Sequence, residues 1–167
     1  MRMKVALGIY LVAGTVAVWL GTTYFTSRQF MSYHAEAVGV PWQEVDAGVQ
    51  TLVLALMKFA GGGWIGLGVV TIVMALAGLR TQSVVARWTL PAGTLIAWSA
   101  SFAATWGVYQ ATGAATPWAP SLAMIGLALL AFVLDAPWAS VVRNTKSERS
   151  DDDSLSAPRR EPAGEQS

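Results

Sequence analysis

Apolar positions in this chain fall into four long blocks, at residues 5–25, 49–79, 88–111 and 117–134, and not at the spacing of a helix or strand with one wet face. A helix in water keeps a polar face, and these blocks have none. Each is long enough to wind through a bilayer, which takes roughly 20 mostly apolar residues. The pattern predicts an all-α protein: a four-helix transmembrane bundle over residues 1–143, with spans at about 5–25, 59–79, 88–111 and 117–134. Residues 144–167 are hydrophilic, contain Asp151, Asp152 and Asp153 in a row, and are expected to form a disordered tail.

The second block is too long for one crossing. As a helix it would reach roughly 46 Å, against a hydrocarbon core of ~30 Å. Residues 59–79 are therefore expected to cross, with 49–58 standing in the headgroup zone. Gly61, Gly62 and Gly63 weaken the helix by up to ~1 kcal/mol each and predict a bend or a close contact. Gly62 and Gly66 form a small-xxx-small pair, and Ala13, Ala17 and Gly21 repeat every four residues. In the third block Thr94, Trp98, Ser101 and Thr105 share one helical face. Such hydroxyls either line a hydrated cavity or bond their own backbone and neighbouring helices.

Between the first two blocks lies an amphipathic stretch, residues 26–48. A short helix over 30–38 is predicted to stop at a left-handed Gly39, with Pro41 opening the next turn. Phe30, Tyr33 and Trp42 suit a membrane interface. Asp46 reads as the N-cap of the second block, and Thr116 followed by Pro117 as the start of the fourth. The basic residues Arg2, Lys4, Arg80, Arg87, Arg143, Lys146 and Arg149 fall on one side of this layout, Arg28 and Lys58 on the other. The positive-inside rule then puts both termini in the cytoplasm, with residues 26–48 on the outer face.

Composition adds exclusions. Of 167 residues, none is cysteine, so disulfides and thiolate chemistry are ruled out. A net charge of +1 carries no nucleic-acid footprint. The candidate functional cluster is Tyr33, His34, Glu36, Trp42, Glu44, Asp46 and Lys58. It does not have metal-ligand spacing: His34 is the single histidine, and Glu36 two residues on points to another helix face. No nucleophile, phosphate-loop or dinucleotide motif is present, so no cofactor and no metal are expected. Lys58 is expected to snorkel outward or to pair with Glu36, Glu44 or Asp46; Asp135 is expected to cap a turn ending at Arg143 or to pair with Arg80 or Arg87.

The segments YHAEAVGVPW, LALMKFAGGGW and ATPWAP resemble the uncharacterised small four-helix integral membrane proteins of bacteria. The resemblance runs over residues 5–142. It implies four spans and an inner-membrane location, and carries no activity. The leading expectation is a non-enzymatic membrane component, surrounded by lipid, that associates with itself or with another membrane protein. A small transporter or channel subunit using Lys58 and the hydroxyl face of the third helix is the alternative. A membrane enzyme built around His34 is a third.

Overall fold

The computed structural model describes residues 2–78, 81 and 83–137. By internal contacts Met1–Asp135 forms one compact unit and Ala136–Ser167 a second. The expected tail, and the turn expected to reach Arg143, lie outside the described residues. Among the described residues five α-helices follow in order, α1 (Arg2–Thr26), α2 (Ser32–Val38), α3 (Ala47–Gly78), α4 (Val84–Thr112) and α5 (Trp118–Asp135), with a 3-10 turn at Trp42–Glu44. No strand occurs among the described residues.

The four long helices run alternately up and down. Adjacency follows α3–α1–α5–α4, and α3 touches α4 only sparsely, so the ring of helices is loose on that side. Among the described residues three helices, α1, α3 and α5, are long and apolar enough to cross a membrane. The third expected span is present as α4 but is less apolar. Arg87, Gln110 and a run of hydroxyl, Trp and Tyr side chains dilute it.

The tightest junction joins α1 to α3. Gly21 and Gly61 face each other so closely that a Cβ on Gly21 would meet the Gly61 carbonyl oxygen at 2.6 Å, and one on Gly61 the Gly21 oxygen at 2.7 Å. Gly14 and Gly68 repeat the arrangement one heptad away. Small residues spaced by seven keep the two backbones in contact along their length. The expected Gly62–Gly66 seam is not used, since a Cβ on either would meet nothing within 4 Å. Of the triple glycine only Gly61 makes the close contact, and α3 runs unbroken through all three. Ala13, Ala17 and Gly21 are buried as their spacing implied.

The end of the bundle that holds the chain's N-terminus is closed by Ala6, Tyr10, Ala75, Leu90 and Ala131, each at most 3% exposed. Beside them Arg87 Nε donates to both carboxylate oxygens of Asp135 at 3.1 and 3.0 Å, and its Nη2 donates to the Asp135 carbonyl. The residues are buried, at 6% and 2% of side-chain surface. The α4 start differs from expectation for this reason. Ser83 caps the helix by accepting from the Ala86 N–H, and α4 begins at Val84, so Arg87 lies inside the helix, not in the turn before it. Pro91 is consequently interior to α4 and past its first turn.

Candidate functional site

The opposite end is built differently. Asp46 Oδ1 accepts from the Gly48 and Val49 N–H groups, starting α3 as the sequence implies. Gln50 Nε2 donates to the carbonyls of Trp42 and Val45, tying the 3-10 turn to α3. Gly39, at φ 79°, closes α2 by donating to the Ala35 carbonyl. Phe30 is only 6% exposed and meets the Trp42 ring edge-to-face at 4.8 Å. Local capping and this aromatic contact together hold α2 as a cap over the helix ends.

Under the cap lies a cavity of about 960 Å³, lined from α1, α2, α3, α4 and α5. Its floor is the Trp64–Trp98 pair, with ring centroids 4.8 Å apart. On the loose side, Gly63, Ala100 and Ala104 line it and are themselves exposed, so it opens toward the surroundings between α3 and α4. No charged side chain lines it. The volume is at the upper end of ordinary ligand pockets, roughly 300–1,000 Å³.

The hydroxyls of α4 and α5 are mostly committed. Thr105 Oγ1 donates to the Ser101 and Phe102 carbonyls, Thr116 Oγ1 to the Thr105 carbonyl. Ser101 and Ser121 bond each other at 3.0 Å across the two helices. Both readings of the Thr94–Thr105 face thus hold in part: Trp98, Ser101 and Thr105 line the cavity, while Thr94 donates to the Leu90 carbonyl. Thr116 does not cap α5 as its sequence implies, because its hydroxyl is spent on α4; α5 begins at Trp118.

Polar groups at the cap are less committed. The Met31 N–H donates to His34 Nδ1 at 3.3 Å, which makes Nδ1 the acceptor and leaves the proton on Nε2. Nε2 has no partner among the described residues. Tyr24 and Tyr33 share a hydrogen bond between their hydroxyls, which uses one of the two protons and leaves the other. Burial holds the His34 imidazole below its ordinary pKa of 6.5. Burial, and then the bond to Tyr24, raise that of Tyr33. Both groups are neutral at pH 7.

The expected cluster is thereby divided. Tyr33 and His34 face the cavity; Trp42 braces Phe30 from outside it. Glu36 is exposed and accepts from the Ala115 N–H at 2.9 Å, pinning α2 to the α4–α5 connection. Glu44 is exposed at the end of the 3-10 turn, and Asp46 is a cap. Lys58 is exposed, lines no part of the cavity and makes no ion pair among the described residues. The pairing expected of it is replaced by the Glu36–Ala115 and Asp46 capping bonds. Among the described residues no three His, Asp or Glu side chains converge. Sequence reasoning missed Tyr24, Trp64 and the small residues Ala60, Gly63, Ala100 and Ala104. They look like ordinary span residues until α3 and α4 are seen to part.

No protein-family model, curated protein or solved structure matches the chain. Function is therefore argued from the geometry.

Proposed function

We propose that the chain is an integral membrane protein of four spans that acts as a non-enzymatic membrane component, associating with a second copy or with another membrane protein. The observation that carries the membrane reading is the outward surface of the long helices. Trp19 on α1, Phe59 on α3, Ile96 on α4 and Val133 on α5 are 68%, 84%, 70% and 60% exposed. Apolar side chains face outward on all four, α4 included, which water would penalise and lipid would not. The buried Arg87–Asp135 pair supports inclusion of α4, because it carries no net charge into the bundle. Arg2 and Lys4 at the start of α1 favour a cytoplasmic N-terminus of a bacterial inner-membrane protein, and an even number of crossings returns the C-terminus to the same side.

Association is supported by α3. Phe25 near the end of α1 lies against Gly61, so the part of α3 before Lys58 stands beyond α1 and leaves Leu52 and Leu56 about 60% exposed. Gly62 and Gly66 leave open backbone lower on the helix.

Fractionation and reporter fusions test the membrane reading. The chain should resist carbonate extraction, and fusions after Val40 and Thr112 should report the periplasmic side; a cytoplasmic report at either position overturns the topology. For association, the full chain in mild detergent should exceed monomer mass or retain a second membrane protein, and Gly66→Leu should abolish this. A lone monomer that ignores the substitution overturns it.

A further inference from the structure

The cavity beneath α2 has an apolar body, an uncharged lining, and its spare hydroxyl and imidazole donors gathered at one end. Within a bilayer, a space of about 960 Å³ open between two helices does not stay empty, since its walls would forfeit their dispersion contacts. Water is a poor filler, because the hydroxyls of α4 and α5 are already bonded to protein and the rest of the lower wall is hydrocarbon or indole. A charged head would be desolvated there with no opposite charge to meet it. Apart from the indole N–H groups of Trp19, Trp64 and Trp98, the spare donors are at the cap: the His34 Nε2–H, the Ser32 hydroxyl and the second proton of the Tyr24–Tyr33 pair. Donors without charge select a ligand atom that accepts without charge.

We propose that this cavity binds an uncharged amphiphile. Its head is a hydrogen-bond acceptor, such as an ester carbonyl or a quinone oxygen, held by His34 and the Tyr24–Tyr33 pair. Its hydrocarbon tail runs down to the Trp64–Trp98 floor. Entry is lateral, from the lipid, past Gly63, Ala100 and Ala104, where the absence of large side chains leaves the gap unblocked. This inference rests on the membrane reading but not on association. The site is distinct from the expected outer cluster: Lys58, Glu44 and Asp46 take no part, and the cap residues bind rather than catalyse.

The tryptophans report occupancy. Full-length protein in nanodiscs is titrated with methyl 9,10-dibromostearate, and in parallel with a dibrominated chain of the same length ending in a sulfonate. The ester should give saturable tryptophan quenching above the linear background from bulk lipid, and the sulfonate should bind at least ~10-fold more weakly. Ala104→Phe and Gly63→Leu, which fill the cavity, should each remove the saturable part. His34→Phe combined with Tyr33→Phe should weaken it ~10-fold while helical content is unchanged, which keeps the idea testable if a filling variant fails to fold. Quenching that only tracks the bulk probe fraction, that survives filling, or that treats sulfonate and ester alike overturns the site. Saturable binding indifferent to His34 and Tyr33 overturns the head assignment. A chain that leaves the membrane under carbonate sinks the membrane reading instead, and does so independently of any titration.

Discussion

The two sides of α3 use the same kind of residue to opposite effect. On the α1 side, small side chains draw helices together: Gly14, Gly21, Gly61 and Gly68 bring α1 and α3 to backbone contact at mid-helix and toward the α2 end, and Ala6, Ala75 and Ala131 close the core around Tyr10 at the other end. On the α4 side, Ala60, Gly63, Ala100 and Ala104 leave a void. The difference is in what stands beside them. Along α1 and α3 each glycine meets a glycine at the same level, so nothing prevents approach. Between α3 and α4 the Trp64 and Trp98 rings meet first and hold the helices apart above them. A small residue creates proximity only if its opposite number is also small; otherwise it creates space.

The closed end beside the N-terminus also holds the buried ion pair. Asp135→Ala takes from the buried Arg87 guanidinium the carboxylate it meets at 3.0 Å and should cost about 3–5 kcal/mol, the largest effect expected here. Unfolding in mixed micelles would measure it. Replacing both members, Arg87→Met with Asp135→Leu, should recover most of the loss, since apolar packing replaces a buried pair at little or no cost. If the double variant is as unstable as the single one, the pair does more than neutralise itself.

The glycine contrast sharpens the comparison at a single stretch of sequence. Gly61→Ala drives a methyl into the Phe25 N–H and the Gly21 carbonyl, and overpacking of this kind costs about 1–3 kcal/mol. Its neighbour Gly62 has open space, so Gly62→Ala should be neutral or stabilising by up to ~1 kcal/mol through helix propensity alone. Equal penalties at the two positions would mean that the seam is not where the structure places it.

The smallest effect belongs to the open end. His34 is held neutral in the fold, with its pKa lowered by burial, and returns to about 6.5 when α2 unfolds. The unfolded cap then binds more protons, so its stability is complete above pH 6.5 and declines as pH falls below that value toward the depressed folded pKa. Tyr33 beside it, its pKa raised by burial, stays neutral across this range, and Glu36 is engaged with Ala115. Amide exchange across α2 should accelerate on going from pH 7.5 to 5.5 beyond the intrinsic rate change, and His34→Gln should remove that excess. A cap equally protected at both values would show that His34 is not buried in the manner described.

Much of the packed α1 face and of the local caps could be read in advance, and little of the cavity. Ala13, Ala17 and Gly21 announced a packed face, while the more telling spacing of seven, Gly14 to Gly21 and Gly61 to Gly68, is visible only when two segments are compared. The Asp46 cap and the Gly39 stop were legible because each depends on a few consecutive residues. Thr116 has the same local credentials and was taken by a carbonyl eleven residues back. Lys58, the one charge inside an apolar run, reads either as a side chain that snorkels outward or as a partner for a carboxylate. The structure leaves it at the surface, since α3 extends past α1 at that level.

The order of residues alone determined that the described chain is helical, how many long helices it contains, and where most of them stop, because caps, glycines and apolar run lengths act over a few neighbouring positions. Which glycine touches which, that Arg87 is buried against Asp135, and that a cavity lies between His34 and Trp98 were decided by tertiary packing. Each of those depends on groups far apart in the chain arriving at one level of the bundle. No short stretch carries the relative height and rotation of two helices; these emerge only when tryptophan and glycine meet across the gap.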